Sequence, residues 1–433
     1  MKKTVFLLLL MLLPTVLSAQ AEVLLFQGRV MCEGKGVAYA SLHLAGTSIG
    51  VTSNDAGEYE LKVPAERIDD TVVIRSLGYK EVRCAVRDLM KGNAVVLRAQ
   101  PIELQEIKVK DFRSGRQLVK VAVGRIKKNY HTAATYPTFF YRDWWTLDGE
   151  LYLLDEAVMR MQRAGYGTFS DKQGYVYTVS QREMETDYKE LLKHRLVVYD
   201  RRMLEKALIK RRGVDEMVEY DDNTVFFDPV ATPQASYMLA SRMLGKHEFE
   251  PVKVFEDNGE KYYYVRSRGM GRVAKSTVHY EYVIRKKDLA IVRITSSQDT
   301  VMQWVPQDAW VNVYYNRLTI DKDTSAWVYE VREGRYTLTH YYNNKVFHLG
   351  SKGRGHDKDG QWWQMCEDWT LTDFSVQAPV HEGKEIEARP QTLAGAFGEG
   401  ESITSSYWEQ YNSIVIDTLP LRLLVEKLKK RKR

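Results

Sequence analysis

The chain has 433 residues, with 44% apolar and 11% aromatic side chains, the composition of a folded protein with room for two or three domains. Its formal net charge of +6 is uneven: Lys427, Lys429, Lys430, Arg431, Lys432 and Arg433 crowd the tail and Lys2 and Lys3 open the chain, so removing those eight charges leaves the remainder at −2. A nucleic-acid protein carries its basic surface on the fold, so this charge excludes that class.

Lys2 and Lys3 precede the apolar run Val5 to Leu13, Pro14 breaks it, and Ala19-Gln20-Ala21 supplies small residues at a cleavage spacing. These are the parts of a secretory signal peptide, expected over residues 1–21. The run falls short of the roughly 20 residues that a transmembrane helix needs. No Cys follows it, so the lipid-anchor pattern is missing. The expected location is outside the cytoplasm, in the periplasm or associated with the outer membrane. There two thiols can oxidise. Cys32 and Cys84 share one small domain and are the candidate pair; two separate buried thiols are the alternative. No C-x-x-C pair occurs, so a structural zinc site is not expected.

From residue 22 to 110 short strand patterns alternate with Gly- and Asp-rich turns. Strands are expected at 26–31, 40–44, 58–63, 71–75, 80–86 and 94–97, with turns at 33–36, 46–50 and 54–57. About seven short strands at this spacing predict an antiparallel sandwich. Gly46, Asp55, Gly57 and Gly78 are read as structural turn residues, the glycines for positive φ and Asp55 for a bond to the backbone two residues on.

The pattern Gly28-x-Val30, Gly36 to Ala40, Gly46-Thr47, Gly50-x-Thr52, Asp55-x-Gly57-x-Tyr59-x-Leu61, Gly78-Tyr79 and Leu104-Gln-Glu-Ile-Lys-Val109 runs through this segment. It resembles the carboxypeptidase-regulatory-like β-sandwich of exported Bacteroidetes proteins, which also precedes the plug of SusC-type transporters. Ser53-Asn54 departs from the usual Thr-Asp but keeps the turn chemistry. The resemblance implies a prealbumin-like or Ig-like sandwich and an envelope address. It implies no catalysis: in carboxypeptidases of that family the sandwich follows the catalytic domain, whereas here it comes first.

Residues 111–135 change period. Leu118, Val121, Ala122, Arg125 and Ile126 recur at helical spacing, predicting a linking helix, or else the first helix of the next domain. Residues 136–377 predict a mainly β domain: a large antiparallel meander, bent into a half-barrel, with helical inserts at 191–196, 203–209 and 236–244. Hairpins are expected around Asp148-Gly149, Asp257-Asn-Gly259, Lys286-Lys-Asp288 and Glu333-Gly334. The pair 280–296, with Ile284, Asp288, Ile291 and Arg293, is similar in style to periplasmic lipoprotein-carrier half-barrels. Residues 378–433 read as irregular, ending in a basic helix whose Leu421, Leu424, Val425 and Leu428 make it amphipathic. That tail is a candidate for peripheral membrane contact, against a solvated helix end.

No catalytic, metal or cofactor-binding residue is assigned. His247 and Glu250 have zinc-ligand spacing, but residues three apart on a strand point to opposite faces. His356, Asp357 and Asp359 near Trp362-Trp363 gather ligand types in a loop, a common polar hairpin tip. Tyr262, Tyr264, Tyr280 and Tyr282 are candidates to line a ligand groove, against plain sheet packing. The function expected is a non-enzymatic envelope protein binding an unknown ligand or envelope partner. The alternatives are a hydrolase whose carboxylates converge only in the fold, and an integral β-barrel.

Overall fold

The computed structural model describes residues 22–47, 49–54, 56–91, 94–100, 105–106, 112, 114–167, 176–183, 228–234, 236–270, 277–304, 315–351, 361–378, 384–386 and 411–413. The chain is mainly β. The signal-peptide region, Asp55, the helices expected at 191–196 and 203–209, His356 to Asp359 and the basic tail lie outside the described residues.

The sandwich forms from β1 (Val23–Cys32), β2 (Lys35–Gly36), β3 (Ser41–Leu44), β4 (Gly50–Thr52), β5 (Glu58–Pro64), β6 (Thr71–Arg75), β7 (Val82–Ala85) and β8 (Ala94–Val96). One sheet holds β2-β1-β5 with β8 on β1, and the other has the order β4-β3-β6-β7. Alternation drives this: β5 buries Tyr59, Leu61 and Val63 and turns Glu58, Glu60 and Lys62 outward. Phe26, Val30, Leu42, Leu44, Val72 and Ile74 close over them as one core. One pair differs from the all-antiparallel expectation: β8 runs parallel to β1, with Val30 opposite Val95. Gly46, Gly57 and Gly78 have φ of 74°, 78° and 88°. At Gly57 there is also no room for a side chain, since a Cβ would lie 2.4 Å from the Val30 carbonyl oxygen. The side chain of Asn54 bonds this turn, accepting from Ala56 N at 3.0 Å and Glu58 N at 2.7 Å. Cys32 and Cys84 are free thiols in opposite sheets.

After β9 (Gln105–Glu106) come α1 (Gly115–Gly124) and α2 (Ile126–Asn129), then β10 (Thr138–Leu147), β11 (Glu150–Met161) and β12 (Val176–Glu183). Further on are α3 (Ser241–Leu244), β13 (Glu248–Phe249), β14 (Lys253–Asp257), β15 (Glu260–Met270), β16 (Thr277–Arg285), β17 (Ile291–Gln298), β18 (Val301–Trp304), β19 (Tyr315–Arg332), β20 (Arg335–Ser351), β21 (Gln361–Asp373) and β22 (Lys384–Ile386). They make one sheet in the order β22-β12-β11-β10-β21-β20-β19-β17-β16-β15-β14-β9. The sheet is open at β22 and at β9, so the described strands do not close a barrel. The expected hairpin turns are present: Asp148, Asn258 and Glu333 take φ of 49°, 49° and 46°, each followed by a positive-φ glycine.

Over its central strands this sheet is packed on both faces by other parts of the chain. On one face, Leu118, Val119, Ala122 and Ile126 of α1–α2 pack with Leu239 and Leu244 against Tyr263, Val265, Tyr282, Ile284, Ile291 and Ile294. The helix predicted as a linker is therefore part of the sheet's own core. Ser114 starts it by accepting from Gln117 N. Of the expected apolar stripe, Val121 is half-buried and Arg125 exposed, while Val119 is fully buried. On the other face sits the sandwich. Leu77 packs on Phe255, Tyr262 and Val283, and the Tyr39 ring lies 5.5 Å from His340 and 5.4 Å from Tyr342. Asn258, at the tip between β14 and β15, accepts from Glu81 N at 2.8 Å and donates to Tyr79 O at 3.0 Å. Asn412 does the same at the sandwich edge, accepting from Lys62 N at 2.7 Å and donating to Lys62 O at 3.0 Å.

Candidate functional site

The four tyrosines proposed for a groove do not share a face. Tyr264 pairs with Val283 and Tyr262 with Arg285, whereas Tyr282 pairs with Val265 and Tyr280 with Ser267. Opposed residues point the same way and successive ones alternate. Tyr262 and Tyr264 thus lie on the sandwich side, Tyr280 and Tyr282 on the helix side. Tyr262 stacks on Phe255, 5.2 Å between centroids. The Tyr282 hydroxyl donates to Met238 O at 2.9 Å. Burial pushes the Tyr282 hydroxyl well above the usual tyrosine range. Both pairs act as packing.

His247 and Glu250 also part. His247 is buried, stacked at 4.9 Å on Tyr280 and seated where Gly269 leaves space, since a Cβ there would come within 2.5 Å of its ring. Burial, reinforced by Arg116, pushes its pKa down to about 4, so the ring is neutral. Glu250 faces Arg266 at 3.8 Å on the surface. Among the described residues, no three His, Cys, Asp or Glu gather as metal ligands.

Two polar constellations were not visible from spacing. The first lies on the helix side. Asp228 Oδ1 accepts from Tyr329 Oη at 2.8 Å, Val230 N at 3.0 Å and Ala231 N at 3.2 Å, and Oδ2 pairs with Arg163 Nη2 at 2.8 Å. Arg163 lies over the Tyr166 ring, and Tyr166 Oη accepts from Leu338 N at 2.8 Å. Tyr130 touches Tyr166, Tyr329 and Tyr336, and its hydroxyl donates to Ile291 O. Burial lifts the Tyr130 and Tyr329 hydroxyls far above their usual range, so they remain protonated donors. The carboxylate's acceptor sites are filled by the protein, which suits it to hold the chain after residue 227 onto the sheet. Asp228-Pro229 at the start of that segment is the only local signal of such a turn.

The second lies on the sandwich side. Arg142 stands between Glu156 on β11 and Asp368 on β21 in register. Its guanidinium pairs with Glu156 Oε1 at 2.6 Å, both side chains being buried. Asp368 Oδ2 lies 3.2 Å from His340 Nε2, beneath Tyr39. This is where carboxylates of separate strands converge, about 10 Å apart by strand spacing. Both carboxylates are engaged on this face, Glu156 by Arg142 and Asp368 by His340. Beside it Tyr411 packs on Phe140 and Val158 and hydrogen-bonds Thr372. Further along the seam Glu330 pairs with Arg332 at 2.9 Å; although burial raises its pKa, Arg332 and His43 draw it below the usual range. A face bearing these charges is not a lipid-facing barrel wall.

A cavity of about 450 Å³ opens at one end of the sandwich, lined by Cys32, Val37, Leu77, Tyr79 and Gln100 among others.

No protein-family model matches the chain, and no curated protein matches it. Among solved structures, a DUF1329 family protein from Desulfovibrio piger ATCC 29098 is 10% identical, covering 61% of this chain and 93% of that one at a TM-score of 0.25. A "putative membrane-associated protein of unknown function" from Bacteroides fragilis NCTC 9343 is 8% identical, covering 81% and 98% at a TM-score of 0.13. At these scores neither likeness carries an argument about fold or function.

Proposed function

We propose that this chain is a non-enzymatic exported protein of the cell envelope, in which a carboxypeptidase-regulatory-like sandwich and a β-rich domain form one scaffold that engages an envelope partner through its outer surfaces. The observation that carries this reading is the occupancy of the large sheet: α1–α2 and residues 236–247 cover one face, the sandwich and Tyr411 the other. Binding then falls to the exterior and not to the aromatic strands. The charged groups support it too, since Asp228, Glu156 and Glu330 each hold an arginine. Such pairs fix each carboxylate against a guanidinium instead of presenting it to a substrate as a general acid would be. The export half of the proposal rests on the Lys2 to Ala21 pattern.

Cell fractionation with N-terminal sequencing tests it. The expected result is a mature chain starting near Glu22 in the periplasmic or outer-membrane fraction, with a cross-linked protein partner. A cytoplasmic chain that keeps residues 1–21 contradicts the export half. Catalytic turnover by the purified protein contradicts the other.

A further inference from the structure

We infer that the exposed face of α1–α2, with the turns packed beside it, is a docking surface for an anionic phospholipid bilayer. Leu118, Val119, Ala122 and Ile126 turn into the core, and the opposite side of the helix exposes Arg116, Lys120, Lys127 and Lys128. Positions 116, 120 and 127 fall on one stripe by helical spacing. Residues 114–130 contain no Asp or Glu.

Neighbouring segments extend the stripe. The Arg116 guanidinium donates to His247 O at 3.0 Å, which brings exposed Arg242 and Lys246 alongside. Asn129 Nδ2 donates to Asp288 O at 3.0 Å, which brings exposed Lys286 and Lys287 to the other end. Arg335 closes that end by donating to Lys128 O at 2.9 Å and Tyr130 O at 3.1 Å. At 1.5 Å per residue the strip runs about 22 Å.

Nearby acids are engaged elsewhere: Asp288 by Arg285, Glu248 by Arg268 and Glu250 by Arg266. Among the described acids beside the strip, Glu333 at the hairpin tip is exposed. Among the described residues, Lys120, Lys127, Lys128 and Lys246 form no ion pair with a carboxylate.

The kind of cation identifies the partner. The strip is rich in lysine, a mobile point charge suited to a diffuse anionic surface, where arginine forks suit a fixed carboxylate or phosphate. Its helix exposes no aromatic or large aliphatic anchor of the sort a protein interface buries at its centre. The apolar side of α1 is committed to the core, so the helix cannot insert. Contact must be electrostatic and vanish with salt, since the screening length falls from roughly 8 Å at physiological ionic strength to 3 Å at 1 M. Each lysine near such a surface contributes a factor of about five in partition, so three together contribute on the order of a hundredfold.

The inference rests on the envelope reading for where such a bilayer is met, yet the two fail separately: vesicle binding can be absent from a correctly exported protein. The test is flotation of the full mature chain with vesicles of phosphatidylcholine alone or mixed with phosphatidylglycerol. Binding is expected only to the mixed vesicles, lost in high salt, and roughly a hundredfold weaker in the triple variant Lys120→Ala, Lys127→Ala, Lys128→Ala. A second variant, Arg242→Ala with Lys246→Ala, weakens it from a separate element, so a misfolded helix cannot explain both. Far-UV circular dichroism and melting temperature stay unchanged in each. The inference is overturned by no binding to mixed vesicles, by equal binding to neutral ones, or by native binding in the triple variant. It is also overturned if binding resists salt and disappears only when Lys427 to Arg433 are removed, which assigns contact to the amphipathic tail.

Discussion

Replacing Asp228 by Ala is expected to lower the stability of the fold by about 3–5 kcal/mol, read as a shift of the urea midpoint at unchanged slope. Arg163 would then be left buried with no carboxylate, and Tyr329 and the amides of Val230 and Ala231 would lose an acceptor. Removing one partner of a buried pair costs much more than replacing both, because an uncompensated charge remains in a medium of low polarity. The double variant Asp228→Ala, Arg163→Met should therefore be more stable than Asp228→Ala alone. A loss below about 1 kcal/mol in the single variant would mean the pair is reached by water.

Trp369→Ala is expected to cost a similar amount, about 3–5 kcal/mol, as a large cavity opens at the centre of the sheet's helix-side face. Trp369 is fully buried, with its ring 6.0 Å from Phe139 and 4.7 Å from Tyr141. Its indole N–H donates to Glu367 Oε1 at 2.7 Å. Trp369→Phe keeps a ring but loses that bond and some volume, so about 1–2 kcal/mol is expected. Thermal or urea unfolding followed by circular dichroism separates the two. Equal, small losses in both would place Trp369 at a loosely packed site.

Much of the fold was legible in the sequence where a local rule decides it. The Asn-Gly, Asp-Gly and Glu-Gly pairs at 258–259, 148–149 and 333–334 mark turns because the residues tolerate positive φ, and the strands on each side follow. The strand at 71–75 reads directly as a buried apolar run. Lengths were less legible. β19 and β20 extend to residues 315 and 351, well past the apolar stretches at 327–332 and 336–342, through polar runs such as Asp321 to Ser325. Register shifts at Tyr315/Arg317, Ile320/Lys322 and Val328/Tyr329 break the period-two pattern on which recognition depends.

The candidate groove failed for a related reason. Period two tells which residues share a face within a strand, but not which face meets which layer. Tyr262 and Tyr264 form one such set, Tyr280 and Tyr282 another, and only pairing between β15 and β16 puts them back to back. The ion pair of Arg163 with Asp228 joins residues 65 apart in sequence, so no spacing announces it. That of Arg142 with Glu156 spans the Asp148-Gly149 hairpin, where the register shift at Trp145/Thr146 moves the pairing by one residue. The seating of the sandwich on the sheet depends on Asn258, Leu77 and Tyr39, which locally read as turn and loop residues.

In this scaffold α1 is a fixed layer of the core, closing the helix-side face of the sheet against ligands. Native-state hydrogen exchange at the amides of α1 against those of β16 tests it most directly. If α1 is a plug, its amides around Leu118 to Ala122 exchange only with the opening that also exposes Tyr280 to Ile284, at the same free energy and with the same dependence on denaturant. If α1 instead opens at a free energy several kcal/mol below that of the strands, it is a lid. The helix-side face would then be a covered binding groove, and the scaffold account would be wrong.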